Sequence, residues 1–208
     1  MNPSTAQLHG IYAVVNEGLS SPVALVHALL DGGVRIFQYR AKTGIVLEHL
    51  QAIREVTRAR GALLLINDDW HAALDFEADG AHLGPDDAVR ADLPKIRKHL
   101  HGRLLGISCG TAEEAQCAQA AGADYIGVGA VYATGSKPDA GEPIGIEGLR
   151  RVAAATTLPV AAIGGISILN IEDVRESGVA MAAVISALAS TANPAAAAQR
   201  LVNAWRGR

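Results

Sequence analysis

Aromatic side chains are scarce in this chain, with two Phe, two Trp and four Tyr making up 4% of its 208 residues. Because half of the residues are hydrophobic, Ala, Val, Leu and Ile must fill the interior, a composition suited to packed helices and buried parallel strands. Cysteine is nearly absent. Cys109 and Cys117 cannot form a zinc site by themselves, and with no secretory segment in view the expected setting is a reduced cytoplasm. Cys109 lies among small residues and reads as buried filler rather than as a nucleophile. No apolar run approaches the roughly 20 residues needed to span a bilayer, because Gly and charged residues interrupt every candidate. An excess of one charge is also missing. A net charge of -3 gives no global pull toward nucleic acid or an anionic membrane, so basic residues matter only locally. Charged residues at 19% beside 50% hydrophobic content exclude a disordered chain.

What is present is a strand followed by a helix, many times over. Residues 1–9 are polar and expected to be loose, and Ile11-Tyr12-Ala13-Val14-Val15 reads as the first strand. Ser20-Ser21-Pro22 reads as the cap and first turn of a helix that Gly32-Gly33 stops. The pattern then predicts a strand over 34–42, a helix over 45–60 ended by Gly61, and a strand over 62–66. Further strands are predicted at 81–83, 104–107, 125–128, 160–163 and 182–185. Helices are predicted around 70–76, 93–100, 112–121, 146–155, 168–177 and 194–205. Four joins form a weak internal repeat, each with Gly between a helix and a strand: around Gly32-Gly33, Gly80, Gly122 and Gly178. About eight such units in one undivided chain predict an α/β protein, a single (β/α)8 TIM barrel over residues 1–208. An open doubly wound sheet should carry Gly-x-Gly-x-x-Gly after its first strand, and Val15-Asn16-Glu17-Gly18 does not supply it.

The strand ends carry the chemistry. In Gln38-Tyr39-Arg40-Ala41-Lys42 a period of two places Gln38, Arg40 and Lys42 on one face, where Arg can grip phosphate bidentately and Lys can add a point charge. Asn67-Asp68-Asp69 and Asp86-Asp87 follow the next two strands. Carboxylates from neighbouring strand ends suit Mg2+ bound together with a diphosphate, although Asp at these positions also caps helices, so one of each pair can cap while the other binds metal. His71 and His82 lack zinc-ligand spacing and read as ordinary polar residues. Ser108 offers a hydroxyl either to a ligand or to a turn. Thr134-Gly135-Ser136-Lys137 reads as an anion-binding loop, and the long stretch 134–145 as a lid. Gly164-Gly165 and Ile185-Ser186 end the seventh and eighth strands, where barrels often hold a phosphate. Two anion sites, one suited to a diphosphate and one to a monophosphate, point to transfer from the first substrate to the second.

Together these motifs resemble the thiamine-phosphate synthase family. The resemblance runs from Tyr12 to Ser186 and rests on Gln38-x-Arg40-x-Lys42, Asn67-Asp68, His82-Leu83-Gly84-x-x-Asp87, Ser108, Thr134-x-Ser136-Lys137, Gly164-Gly165 and Ile185-Ser186. It implies a Mg2+-dependent transferase that joins hydroxymethylpyrimidine diphosphate to hydroxyethylthiazole phosphate and releases pyrophosphate. By that resemblance Gln38, Arg40, Lys42 and Asn67 hold the pyrimidine diphosphate, with Ser108 and Lys137 also facing it. Asp68 and Asp87 bind Mg2+. Thr134, Ser136, Gly165, Ile185 and Ser186 surround the thiazole phosphate. The resemblance assigns the catalytic charge stabilisation to Arg40, Lys42, Ser108 and Lys137. The chain departs from the family's usual residues at Ser136 and Asn16, and at Ala41 and Thr43 before Gly44. A thiazole tautomerase, a non-catalytic thiamine-phosphate binding protein and a phosphosugar isomerase barrel are the competing readings. The expected partners are small-molecule substrates, with no nucleic acid and no membrane, and a homo-oligomer stays open.

Overall fold

A computed structural model describes residues 3–19, 21–85, 88, 92–136 and 141–208. Eight parallel strands close into a barrel in sequence order: β1 (Gly10–Asn16), β2 (Ile36–Arg40), β3 (Leu63–Asn67), β4 (Gly80–Leu83), β5 (Leu104–Cys109), β6 (Tyr125–Val128), β7 (Val160–Ile163) and β8 (Met181–Val184). The ring closes where Gly10 of β1 pairs with Met181 of β8. Around it run α1 (Pro22–Asp31), α2 (Leu47–Ala59), α3 (Trp70–Asp75), α4 (Leu93–His99), α5 (Ala112–Ala120), α6 (Gly145–Ala153), α7 (Ile171–Glu176), α8 (Ser186–Ala189) and α9 (Pro194–Trp205). This is the (β/α)8 barrel expected from the repeated strand-helix pattern.

Two apolar layers follow from the period of two along each strand. Outward residues such as Phe37, Tyr39, Leu64, Ile66, Leu105 and Ile107 pack under the helices. Inward residues Tyr12, Ile36, Leu63, Leu65, Leu104, Tyr125, Ala161, Met181 and Ala183 fill the barrel together with Leu8. The lead segment expected to be loose over 1–9 is ordered between Ser4 and Leu8. Ser4 and Gln7 form a capping box around a 3-10 turn, and Leu8 is 2% exposed, so the segment joins the barrel's filling.

The helix-to-strand joins share one geometry, although glycine does not occupy it in every copy. Gly33, Gly122 and Gly178 adopt positive φ, whereas in the second join Glu77 takes that role at φ 50° and Gly80 belongs to β4. The next residue is buried each time: Val34, Ala78, Ala123 and Val179. In the first three its N–H returns to a carbonyl five residues back, the bond that ends a helix in a Schellman motif. Two of these joins then place an Asp at the foot of the barrel. Asp79 accepts the Leu64 N–H at 2.8 Å and pairs with Arg54, while Asp124 accepts the Leu105 N–H at 2.7 Å and pairs with Arg97.

Boundaries differ from the sequence pattern in places with visible causes. The strand expected over 34–42 spans only Ile36–Arg40, because the Arg40 carbonyl takes its last β1-side bond from Glu17 N and pairing with β3 ends at Tyr39 opposite Ile66. The helix expected from 168 begins at Ile171, after Asn170 Oδ1 accepts the Ser167 N–H at 2.8 Å and fixes a turn. Ser21 caps α1 as expected, whereas Ser20 lies outside the described residues.

Candidate active site

The inner files of the barrel turn polar toward the C-terminal strand ends. In β2 the order is Ile36, Gln38, Arg40; in β3 it is Leu63, Leu65, Asn67; in β5 it is Leu104, Gly106, Ser108. Above them opens a cavity of about 330 Å3, within the size range of small-molecule sites. It is lined by Gln38, Arg40, Lys42, Asn67, Asp68 and Ser108 on one side, and by Thr134, Ser136, Gly165, Ile185 and Ser186 on the other. Every described residue to which the resemblance assigns a role therefore lines one mouth. Asp87 and Lys137, and the middle of the expected lid at 137–140, lie outside the described residues.

On the β2–β3 side, Arg40 donates from Nη1 to Asn16 Oδ1 at 3.1 Å. Its partner is a neutral carboxamide, so the guanidinium charge remains uncompensated by that contact. Lys42 sits in the turn after β2, not on the strand face, and its side chain is about half exposed. It still reaches the cavity, donating to Asp68 Oδ2 at 2.7 Å. The two neighbouring carboxylates after β3 divide their work. Asp69 caps α3 by accepting the Ala72 N–H at 2.9 Å, while Asp68 takes a left-handed φ of 62° and turns toward the cavity. That backbone conformation costs a non-glycine residue on the order of 1–2 kcal/mol and needs support. The His82 carbonyl accepts the Asp68 N–H at 2.8 Å, and the carboxylate accepts bonds from Gly84 N at 3.1 Å and Asn67 Nδ2 at 2.5 Å.

Across the mouth, Gly164 and Gly165 both adopt positive φ. A Cβ on Gly164 would lie 2.6 Å from Ala130 Cα, and one on Gly165 would lie 2.5 Å from the Ala133 carbonyl oxygen. The turn after β7 thus packs backbone to backbone against the segment after β6. The Thr134 hydroxyl accepts the Ser136 N–H at 3.2 Å, which curls the start of that segment toward the cavity. Ile185 precedes the single-turn α8, and Ser186 is its first residue.

The sequence reading did not anticipate the floor. A hydrogen-bonded file crosses the barrel interior: Gln38 Nε2 donates to Tyr12 OH at 2.7 Å, Tyr12 OH meets Tyr125 OH at 3.0 Å, Tyr125 OH meets His82 Nδ1 at 2.9 Å, and His82 Nε2 meets Ser108 Oγ at 3.0 Å. Burial pushes both phenols well above their usual range, so they stay protonated. Gln38 donates to Tyr12, and the His82 ring links the Ser108 hydroxyl at the cavity wall to the two buried phenols. Cys109 beside it is no nucleophile, since burial and the nearby Glu114 push its thiol up to about 12.

The donor set tests the fit of a metal. Asp68 offers carboxylate oxygen at the cavity wall, the hard ligand that Mg2+ prefers. Among the described residues no group of three or more His, Cys, Asp or Glu could hold a metal ion. Mg2+ commonly takes one or two carboxylates and completes its shell with phosphate oxygens and water. No helix of the described residues is long and apolar enough to cross a membrane.

Comparison with known proteins gives one consistent answer. The chain is 43% identical over 198 residues to a thiamine-phosphate synthase of Moorella thermoacetica, covering 92% of this chain and 93% of the relative. It is 40% identical over 197 residues to the thiamine-phosphate synthase of Chloroflexus aurantiacus, covering 92% and 90%. The structure of a thiamine phosphate pyrophosphorylase from Pyrococcus furiosus superposes with a TM-score of 0.89 at 32% identity, covering 98% of each chain. A 3-hexulose-6-phosphate synthase, at 23% identity and a TM-score of 0.68, shares the fold. The family description "Thiamine monophosphate synthase" matches residues 11–188, and the chain belongs to that family.

Proposed function

We propose that this chain is a transferase that joins hydroxymethylpyrimidine diphosphate to hydroxyethylthiazole phosphate, forming thiamine monophosphate and pyrophosphate. The observation that carries the reading is the two-sided mouth. Arg40, Lys42, Asn67 and Asp68 gather at the ends of β2 and β3, and Gly165, Ile185 and Ser186 gather at the ends of β7 and β8, with β1 between the two groups in the ring and all of them lining one cavity with Gln38 and Ser108. Two phosphorylated substrates fit the two groups, with their reacting ends meeting over the floor.

The bond between the pyrimidine methylene and the diphosphate oxygen breaks, and its electron pair leaves with pyrophosphate. The thiazole nitrogen then donates its lone pair to the methylene carbon and forms the new C–N bond. No protein nucleophile is needed. Arg40 and Lys42 stabilise the negative charge growing on the leaving group, and the Ser108 hydroxyl and Lys137 join them by the family resemblance. Mg2+, held by Asp68 and by Asp87 on that resemblance, supplies further positive charge to the diphosphate oxygens when bound. Gln38 stands at the floor, where its carboxamide orients the pyrimidine, and the turn at Gly165 with Thr134, Ser136 and Ser186 holds the thiazole phosphate. Enclosure of both substrates orients the ring nitrogen toward the methylene carbon.

The test is mass-spectrometric detection of thiamine monophosphate from both precursors, with and without Mg2+. Multiple turnovers that require the ion support the synthase. Tight thiazole phosphate binding without product would favour a tautomerase or binding protein instead. Arg40→Ala should cost about 1.5–3 kcal/mol in kcat/KM, the scale of one charged hydrogen bond. A loss confined to the thiazole phosphate KM would refute the assignment of Arg40 to the diphosphate.

A further inference from the structure

A second polar cluster lies behind the diphosphate side, outside the cavity. Glu17 follows β1, and its carboxylate is 8% exposed. Tyr39 OH donates to Glu17 Oε2 at 2.5 Å, and His49 Nδ1 lies 3.0 Å from Glu17 Oε1. Burial opposes ionisation of Glu17, but the bonds from Tyr39, the Gly18 N–H and His49 outweigh it and hold the carboxyl below its usual range. The group is therefore an anion at neutral pH. It sits against the first turn of α2, where a negative charge favours the exposed amide ends.

The cluster grips both ends of one short turn. The Glu17 N–H donates to the Arg40 carbonyl at 2.7 Å, and the Val46 N–H donates to Tyr39 OH at 3.3 Å. Val46 is the N-cap of α2 and makes no side-chain cap bond, and the phenol ties its backbone N–H to Glu17. Between these anchors runs 41–45, which carries Lys42. The Lys42 side chain is 54% exposed, so burial does not hold it, and its reach to Asp68 depends on where the turn places its backbone.

We infer that Glu17, with Tyr39 and His49, is a positioning residue: it latches the turn 41–46 so that Lys42 meets the diphosphate of the substrate. This rests on the reading that Lys42 faces the diphosphate, and the experiment separates the two. Steady-state kinetics are measured for Glu17→Ala, Glu17→Gln, Lys42→Ala and the double variant Glu17→Ala/Lys42→Ala, varying each substrate in turn. Glu17→Ala should raise the KM for the pyrimidine diphosphate about tenfold, with the thiazole phosphate KM changed less than about twofold. Glu17→Gln keeps an acceptor for Tyr39 and should recover most of the loss. In the double variant the KM should equal that of Lys42→Ala alone, since a latch has no effect once the residue it positions is gone.

A merely structural role would lower thermal stability and the active fraction without this split between substrates. If Lys42→Ala raises the diphosphate KM while Glu17→Ala leaves it unchanged, or if the two effects multiply fully, the latch is overturned and the site reading stands. If Lys42→Ala leaves that KM unchanged, the site reading fails and the latch falls with it. Should Glu17→Ala not fold, Tyr39→Phe removes the phenol oxygen that joins Glu17 to Val46, and the same selective rise in KM is expected. Equal KM values for Tyr39→Phe and the parent would overturn the proposal.

Discussion

Replacing Tyr125 by Phe tests the buried file across the barrel floor. The Tyr125 hydroxyl is fully buried and bridges Tyr12 OH and His82 Nδ1 at 3.0 and 2.9 Å. Its removal deletes two buried hydrogen bonds at about 1–3 kcal/mol each, less the desolvation that the lost hydroxyl no longer incurs, for a net cost of about 2–4 kcal/mol. For a chain of this size each kcal/mol moves Tm by about 2–4 °C, so differential scanning calorimetry should read a fall of about 5–15 °C. His82, whose Nε2 meets Ser108, also loses the partner at its Nδ1. At temperatures well below the new Tm, kcat/KM for the diphosphate substrate should drop about threefold to tenfold. Tyr132→Phe is the control. Its hydroxyl is buried with no hydrogen-bond partner among the described residues, so the same chemical change should lie within about 0.5 kcal/mol of neutral or be stabilising. Equal effects of the two substitutions on Tm would refute the claim that the Tyr125 bonds hold the floor together.

Gly164→Ala places a methyl 2.6 Å from Ala130 at a φ of 104°, so it should cost about 2 kcal/mol or more and raise the KM for thiazole phosphate by a larger factor than the KM for the diphosphate. Calorimetry and kinetics check the pair, and an unchanged Tm would sink the close-packing argument. Glu77→Gly relieves a left-handed non-glycine residue at about 1–2 kcal/mol against an entropy loss of about 0.5–1, so Tm should rise slightly. A fall would mean that the Glu77–Arg58 ion pair outweighs the strain. With its thiol raised to about 12, Cys109 should resist iodoacetamide at pH 8 in the folded protein, while exposed Cys117 is alkylated; peptide mass spectrometry that finds Cys109 labelled first would contradict its burial.

Much of the barrel was legible because each strand is a short apolar run closed by punctuation. The ranges 125–128 and 160–163 coincide with β6 and β7, both followed closely by glycine. The overrun of β2 has a different origin. Alternation continues through Ala41-Lys42, but strand pairing needs partners, and those end at Asn16 and Ile66. Gly80 was read as a helix stop because it matched the repeat, whereas the left-handed position fell on Glu77, three residues earlier, where no residue type announced it. The division between Asp68 and Asp69 was legible only as a division, since either carboxylate could have capped α3 until the backbone turned at Asp68.

The floor file was hidden for a more general reason. When both faces of a strand are buried, the period of two separates the faces without saying which one looks inward. Tyr12 within Ile11–Val15, and His82 beside Leu83, are therefore ambiguous by themselves. The mouth residues break the tie. Once Arg40, Asn67 and Ser108 are assigned to the open end, counting back by twos sends Gln38 and Ile36, Leu65 and Leu63, and Gly106 and Leu104 inward. The register then puts Gly106 opposite Tyr125, whose ring overlaps the space that a Cβ on Gly106 would need. The same register sets His82 beside Gly106, on the strand next to Ser108. Polar residues that the ligand requires at the rim thus determine which apolar and aromatic residues fill the barrel below it. A rim assignment made from chemistry should therefore be the first step in reading the interior of any barrel whose strands are apolar on both faces.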